Sequence, residues 1–389
     1  MTRLRPLLLV VLAAVIAACS GPVLANPPAA RPIVTPEPSS SPRPPDPQPV
    51  VLPRDDAPHD RLTEWWYYTG HLRADDGTRL GFEYVIFRAE RGSFPVTWVS
   101  HLALTNETGG RFHYAQRAEI GPQVDRSPVS PDGPAGFDFT VIGVDLTGQV
   151  IPGSTPWTMT GDNGEDALTA IAQAPEVSGD PIDAFGLDLR LSTVKPPALH
   201  DRDGWIDFGV AGGSYYYSRT DMDATGTVTL GDRTLQVEGK AWFDHQWGDF
   251  ISVGGGGWDW FAVNLDDGTD ITVSLVRDAN GSYPLIYGTL VEPDGTTRHL
   301  ERDDISVVVN GTWTSPATGA TYPADWTIKL PGEGLEVNLV PTVPQQELDT
   351  RPTTGVIYWE GSQVVTATRD GVPLGGEAYV ELTGYATGP

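Results

Sequence analysis

The sequence is poor in cysteine, in basic residues and in long apolar runs. Its single cysteine, Cys19, excludes a disulfide within the chain. Only 25 Lys and Arg residues stand against 51 Asp and Glu residues, and the formal net charge is −26. Such a surface repels nucleic acid and anionic lipid head groups, and no basic patch interrupts it. We therefore expect no nucleic acid among the partners.

Several motifs of catalysis and metal binding are also missing. The seven histidines are scattered singly, without the paired spacings typical of zinc ligands. No Gly-x-Ser-x-Gly sequence presents a serine nucleophile. Residues 254–257 are four glycines without the Gly-Lys-Ser/Thr ending of a phosphate loop, which indicates a flexible loop. The sequence thus predicts no bound metal.

The amino-terminal residues are typical of a bacterial export signal. Two arginines precede an apolar run at 7–18, and Cys19 follows two alanines. The run is shorter than the about 20 residues that a transmembrane helix requires. The pattern predicts a lipoprotein signal over 1–19, with a lipid on Cys19 that anchors the protein to a membrane of the cell envelope, facing the periplasm or the exterior. Ordinary cleavage after Ala25 is the alternative, and it would release a protein without the anchor.

Composition divides the rest of the chain. Residues 20–58 are crowded with proline and serine and bury too little apolar surface to fold, which predicts a disordered tether. The remaining length is that of two domains. Its runs alternate with the period of β-strands, for example at 80–88, 214–220 and 270–277, and we find no sustained helical stripe. Tight-turn dipeptides such as Asp-Gly and Asn-Gly separate these runs, so antiparallel sandwiches or barrels are expected.

Two tryptophan-rich segments, 64–72 and 239–248, suggest one aromatic-walled site. Strand alternation constrains that site, because His245 and Trp247 share one face while Trp242 and Asp244 share the other. Tryptophans near the first strand of a barrel also commonly close its end. Trp65 is therefore open to a core role as well as to a role in binding.

Several motifs in order resemble the AttH-like and carotenoid 1,2-hydratase family. They are EWWY at 64–67, SHLAL at 100–104, SYYYS at 214–218, WFDHQWG at 242–248, WDWF at 258–261, YWEG at 358–361 and GEAYVELTGY at 376–385. The resemblance implies an all-β fold of two lipocalin-like antiparallel β-barrel domains, which we expect at 59–245 and 246–389. It also implies an elongated apolar ligand, such as an isoprenoid, carotenoid or lipid, and no cofactor. We expect a monomer.

The hydration that some family members perform requires a strong acid, stabilisation of a carbocation and a controlled water. A buried aspartic acid keeps its proton, so Asp244 is a candidate acid, with His245 as relay. The family implies His245 and Trp247 as the site pair, which would leave Asp244 a structural role. We thus predict His245, Asp244 and Trp247 as catalytic candidates. The predicted ligand-binding side chains are Trp65, Tyr67, His101, Tyr217, Trp242 and Trp260.

One departure bears on the reaction. The hydratases follow the tryptophan motif with an acidic residue on a nearby downstream strand, and strand 270–275 offers hydroxyls there instead. Two functions stay open on the sequence. The first is an exported, lipid-anchored protein that binds an elongated apolar ligand. The alternative is a cofactor-independent hydratase or cyclase that adds water to, or rearranges, a carbon–carbon double bond of an isoprenoid by acid catalysis.

Overall fold

A computed structural model describes residues 45–130, 133–143, 149–150, 153–250 and 255–386. The predicted lipoprotein signal, Cys19 and residues 20–44 of the predicted tether lie outside the described residues. Within the described residues, none of the helices is both long enough and apolar enough to cross a bilayer.

The first sheet is antiparallel throughout. Its strands are β1 (Thr63–Ala74), β2 (Arg79–Arg91), β3 (Phe94–Asn106), β4 (Arg111–Ile120), β7 (Phe137–Val141), β8 (Trp157–Asp162), β9 (Glu165–Gln173), β10 (Ser178–Gly179), β11 (Ala184–Thr193), β12 (Ala198–Leu199), β13 (Trp205–Asp207), β14 (Gly213–Leu230) and β15 (Arg233–Gly248); β5 (Val129–Ser130) and β6 (Gly133–Pro134) pair separately. The order across the sheet is β10-β4-β3-β2-β1-β15-β14-β11-β9-β8-β7, and β12 and β13 pair with β14.

The second sheet is also antiparallel and follows in the sequence. Its strands are β16 (Gly255–Leu265), β17 (Asp270–Asp278), β18 (Leu285–Val291), β19 (Thr297–Leu300), β20 (Ser306–Thr314), β21 (Thr321–Leu330), β22 (Leu335–Pro341), β23 (Glu347–Asp349), β24 (Ile357–Arg369), β25 (Val372–Leu374) and β26 (Gly376–Thr383). The order is β19-β18-β17-β16-β26-β24-β22-β21-β20, and β23 and β25 pair with β24. Short 3-10 helices lie at Arg54–Asp56, Pro122–Val124, Gly209–Ala211, Arg302–Asp304 and Pro331–Glu333.

Each sheet curls around a core of its own, which confirms the predicted all-β fold of two lipocalin-like antiparallel barrel domains. The domain boundary predicted at 245/246 falls inside β15, which continues in the first sheet to Gly248, and the second sheet begins at Gly255. Of the predicted tether, the part from Pro49 belongs to the same compact unit as both sheets.

The last residues before β1 fold against the first core. Trp66 donates a hydrogen bond from Nε1 to the backbone oxygen of Asp56 at 3.1 Å. Asp56 is fully buried, and both of its carboxylate oxygens accept hydrogen bonds from Arg219 of β14, at 2.8 and 2.9 Å. The hydroxyl of Tyr217 donates to the same carboxylate. This ion pair attaches the segment that enters β1 to β14, two strands away in the first sheet.

We expect Asp56→Asn to lower the free energy of unfolding by about 3–5 kcal/mol, because it leaves the buried Arg219 guanidinium without its paired charge. Urea unfolding would measure the change. Asp76→Asn is the matched control, since it removes the carboxylate of an ion pair with Arg233 that is largely exposed, and it should change stability little. Equal losses in the two variants would contradict the assignment.

Candidate functional site

The two sheets face each other across an aromatic cavity of about 370 Å³. The cavity lies on the faces of β1, β2, β3 and β15 that point away from the first core, and on the facing surfaces of β16, β17, β24 and β26. Its aromatic wall consists of Trp65, Tyr67, Phe87, Phe208, Tyr216, Phe250, Trp258, Trp260, Tyr287 and Tyr358. An apolar cavity of this size fits a small organic ligand.

Three carboxyl groups line this cavity: Glu83 of β2, Asp244 of β15 and Glu381 of β26. A fourth, Glu360 of β24, lies directly opposite Glu381 in the sheet register and accepts a hydrogen bond from the Tyr67 hydroxyl at 2.7 Å. None of the four forms an ion pair with a basic residue in the described part of the chain. Burial without a positive partner favours the neutral form of a carboxyl group.

Glu83 is the clearest case of a neutral acid. It is fully buried, and its Oε1 accepts a hydrogen bond from the Tyr358 hydroxyl at 2.9 Å. Its Oε2 has no hydrogen-bond partner among the described residues. Burial, reinforced by the charge of Glu381, raises the pKa of Glu83 to about 8. A carboxylic acid therefore lines the cavity at neutral pH, and one of its oxygens is buried without a partner among the described residues.

Glu360 and Glu381 also favour the neutral, protonated form. Burial raises the pKa of Glu381 to about 7, although the indole of Trp258 donates to its Oε2 at 3.1 Å. Burial, followed by repulsion from Glu381 and Glu83, raises the pKa of Glu360 well above its usual value. Like charges directly opposite each other on adjacent strands are unfavourable. Ionisation of one of the two residues, Glu360 or Glu381, therefore opposes ionisation of the other.

Asp244 has a different environment, because donors surround it. It accepts hydrogen bonds from the Tyr216 hydroxyl at 2.5 Å, from the Trp242 indole at 2.6 Å and from the Ser218 hydroxyl. Burial raises the pKa of Asp244 to about 7, and the three donors oppose that rise. Trp260 extends the network by donating to the oxygen of Tyr216 at 3.0 Å. Asp244 is thus the carboxyl group of the cavity that is best prepared to carry a charge.

His101 supports Glu83 from the side. Its Nδ1 lies 2.8 Å from the Tyr358 hydroxyl, and its Nε2 lies 3.1 Å from the Thr353 hydroxyl. Burial lowers the pKa of His101 to about 3, so the ring is neutral. Since Tyr358 donates to Glu83, its oxygen is free to accept the Nδ1 proton of His101. The imidazole therefore orients Tyr358, and through it the acid.

The structure brings some of the predicted site residues to the cavity and leaves others out. Trp65, Tyr67, His101, Asp244 and Trp260 line it, and Trp242 packs beside it as a donor to Asp244. The side chains of Tyr217, His245 and Trp247 lie on the other face of their strands, in the first core. The ladder between β1 and β15 runs without a bulge from Thr63↔Gly248 to Ala74↔Val237, so strand alternation holds throughout.

Sequence reasoning missed the glutamates. It looked for a second acid at 270–275, where Ser274 lines the cavity, whereas the acids come from β2 and β26. A signal was present: Glu83 is the one charged residue in the apolar run LGFEYVIF at 80–87, and Glu360 and Glu381 lie within recognised motifs. A lone carboxyl group in a strand that is otherwise apolar has to be buried, and burial makes it an acid.

The raised pKa of Glu83 has a consequence for stability. Unfolded glutamate releases its proton near about pH 4.3. Folded Glu83 keeps the proton up to about pH 8, so the folded state binds more protons between these values and stability falls as the pH rises through them. We expect the free energy of unfolding of Glu83→Gln, relative to that of the unchanged protein, to increase from pH 5 to pH 9. The increase should be about 1.4 kcal/mol or more, the value of one pKa unit.

Urea unfolding at several pH values would measure this gain. The control is Glu83→Asp, which keeps a buried carboxyl group and should keep the decline towards high pH. A stability difference between Glu83→Gln and the unchanged protein that is constant with pH would show that Glu83 is not held neutral.

Comparisons with known proteins agree with this architecture. The AttH-like family model matches residues 43–385. Among solved structures, the chain is similar to a protein of Nitrosomonas europaea assigned as an AttH, with 28% identity and a TM-score of 0.70 over 87% of this chain and 98% of that one. The fold is also similar to that of kievitone hydratase from Nectria haematococca, with 15% identity and a TM-score of 0.65 over 87% and 94% of the two chains. CghA in complex with Sch210972 has the fold at 12% identity and a TM-score of 0.51, over 84% and 90% of the two chains. No curated protein sequence matches significantly. The chain belongs to the AttH-like family.

Proposed function

We propose that this protein binds an elongated apolar small molecule in the cavity between its two sheets and protonates a carbon–carbon double bond of that molecule. Water then adds to the resulting cation, or the carbon skeleton rearranges. One observation carries the proposal: the buried acid Glu83 faces an aromatic cavity with an oxygen that has no partner among the described residues. An isoprenoid is the ligand class that combines length, apolar surface and double bonds.

The first step transfers the Glu83 proton to one alkene carbon. The O–H bond breaks, a C–H bond forms, and the adjacent carbon becomes a carbocation beside the Glu83 carboxylate. The indole faces of Trp65 and Trp260 can stabilise this cation, by about 2 kcal/mol or more in a site without water. The transfer needs no oxidant or reductant, because the number of electrons on the substrate does not change.

The second step consumes the cation. A water molecule attacks the cationic carbon and loses a proton, and Asp244 is the base placed to accept it. Three donors stabilise the charged form of Asp244, whereas Glu83 accepts one hydrogen bond, so Asp244 is the group that ionises more readily and Glu83 the group that stays protonated. Transfer of this proton from Asp244 back to Glu83 through water restores both groups, and the net reaction adds one water. Without a water at the cation, loss of a neighbouring proton gives an isomer. Attack by a second double bond forms a ring and a new cation, which becomes neutral when it loses a proton in turn.

The similarity in fold to known proteins is consistent with this proposal, but the proposal is based on the site. A relative of the same fold is named for hydrating kievitone, and another was solved with an organic ligand, Sch210972. Both are too distant in sequence to transfer a substrate. The sequence leaves open a second function, the binding of an apolar ligand without a reaction. The same cavity would hold the ligand in both cases, so binding is also the first step of the proposed reaction.

Incubation of the purified protein with isoprenoid extracts, followed by mass spectrometry, would test the reaction. We expect a product heavier by one water, or an isomer of a consumed substrate. Glu83→Gln should lower conversion by about 100-fold or more while ligand still binds, since a general acid contributes typically 10²–10⁴-fold. A protein that binds an isoprenoid but converts none would contradict the catalytic proposal and leave a binding protein.

Asp166→Asn provides a matched control. Asp166 is also a buried carboxyl group whose pKa burial raises to about 7, but it lies in the first core, where the Tyr68 hydroxyl donates to it at 2.8 Å. This variant should convert substrate at the rate of the unchanged protein. Equal losses in Glu83→Gln and Asp166→Asn would assign the effect to stability and not to catalysis.

We also propose that the mature protein begins at Cys19 and carries a lipid there, so that it acts at the cell envelope. The support is the order of arginines, apolar run and alanines before Cys19. We expect the mass of the mature amino-terminal peptide to include a diacylglyceryl group on Cys19, and Cys19→Ala to release the protein from the membrane fraction. An unmodified amino terminus at Asn26 would contradict the anchor.

A further inference from the structure

A second group of ionisable side chains lies on the opposite face of the same strands, inside the first core. It consists of His59, which precedes β1, Glu64 of β1 and His245 of β15. Glu64 Oε1 lies 2.7 Å from Nδ1 of His59 and 2.9 Å from Nε2 of His245. One nitrogen of each ring and the carboxylate oxygen all lie within 4.8 Å of one another. The proposed function does not use these residues.

We propose that His59, Glu64 and His245 bind one divalent transition-metal ion, of which Zn²⁺ is the best fit. Two imidazole nitrogens and one carboxylate oxygen form a donor set that Zn²⁺ and its neighbours in the first transition row prefer. The sequence predicted no metal because its histidines have no paired spacing. The fold brings the three side chains together. Glu64 and His245 lie on the adjacent strands β1 and β15, and the chain between His59 and Glu64 bends so that the two side chains are in contact.

The surroundings of the three side chains match those of metal ligands. The second nitrogen of His59, Nε2, lies 3.7 Å from an oxygen of Asp55, and the second nitrogen of His245 lies 3.4 Å from the Tyr217 hydroxyl. Glu64 Oε2 accepts the backbone N–H of His59 at 2.9 Å. Each ligand thus has an outer partner for the atom that faces away from the proposed ion. Such partners fix the orientation of ligands in metal sites.

Indole rings hold both imidazoles in place. Trp247 stacks on His59 with the ring centroids 4.1 Å apart and an interplanar angle of 1°. Trp66 stacks on His245 at 4.7 Å. Stacking restricts rotation of the imidazoles and directs their edges towards Glu64. A site whose ligands are oriented before binding loses less entropy when the ion enters.

Access comes from the side of His59. Glu64 and His245 are fully buried, whereas the His59 side chain is 20% exposed. An ion can therefore enter past His59 and keep a water molecule as its fourth ligand. Ligands at about 2.0–2.1 Å from a tetrahedral ion are about 3.4 Å apart. The contacts of 2.7 and 2.9 Å must therefore widen by about 0.7 and 0.5 Å, which requires small shifts of all three side chains.

A network of protons alone would use the same contacts, and the two cases differ in a measurable way. In the proton network each imidazole donates a hydrogen to Glu64. In the metal site both of these nitrogens give their lone pairs to the ion, so their protons must move to the outer ring nitrogens, beside Asp55 and the Tyr217 hydroxyl, or leave to the solvent. The metal would also join the segment before β1 to β15 and stabilise the folded first domain by mass action.

The test uses the full-length chain, stripped with a chelator and titrated with Zn²⁺ and Co²⁺. We expect one equivalent of metal after dialysis, a visible d–d absorption with Co²⁺, and a rise in Tm with Zn²⁺. His59→Ala and Glu64→Gln should abolish the Co²⁺ absorption. Asp55→Asn, which removes the charge of the outer partner of His59 and also the ion pair of Asp55 with Arg54, should weaken Zn²⁺ binding by about 10–100-fold.

His299→Ala is the matched control, because His299 also lies near two carboxylates, at 3.5 Å from Asp201 and 3.6 Å from Glu301, and should leave metal binding unchanged. Circular dichroism without metal would verify that each variant folds. Binding that is not stoichiometric, or that persists in His59→Ala, would overturn the proposal and indicate weak association with the acidic surface. These measurements do not involve the isoprenoid substrate, so they fail or succeed independently of the proposed function.

Discussion

The two-residue period of the ladder between β1 and β15 is the constraint on which the rest of this structure depends. Directly opposite residues share a face, so Trp66 meets His245 in the first core while Tyr67 meets Asp244 at the cavity. Because the ladder has no bulge, each strand serves two environments at once. One face packs into the first core, and the other faces the second sheet. The two tryptophan-rich segments of the sequence are therefore two sites that alternate along one pair of strands.

The electrostatics of the two faces differ for a physical reason. On the core side, two buried carboxylates have partners: Asp56 has Arg219, and Glu64 has two imidazoles, while Asp166 is a single acid there without an ion pair among the described residues. On the cavity side, Glu83, Glu360 and Glu381 are without a basic partner among the described residues, and burial holds them in the neutral form. A protein retains unpaired buried carboxyl groups at a cost in stability, so their grouping beside a cavity points to a use for their protons.

The fold was largely predictable from sequence, because period-2 runs and tight turns report strands directly. The candidate site was predictable in part. Asp244, Trp65 and Trp260 were recognised by residue type and line the cavity. His245 and Trp247 followed from the family motif, and alternation places them in the core. Which face of a strand meets the second sheet depends on how the sheets pack, and a strand's own sequence does not contain that information.

The acids and the histidine pair were missed for a related reason. Glu83, Glu360 and Glu381 are far apart in the sequence and meet because two sheets pack face to face. His59 and His245 are separated by most of the first domain and meet at Glu64, because β1 and β15 are adjacent strands and His59 lies shortly before β1. Long-range proximity of this kind has no local spacing to recognise, although an isolated carboxyl group in an apolar strand is a local sign that it is buried.

The alternation along β1 and β15 also bears on how this scaffold could diversify. At one set of positions the side chains hold the barrel together, and at the intervening set they contact whatever occupies the cavity. Substitutions at residues such as Trp65 and Gln246 can reshape the cavity and still leave the protein folded, because these residues do not contribute to the first core. The two requirements that usually compete in an enzyme, a stable core and an adaptable binding surface, are thus assigned to separate residues of the same two strands.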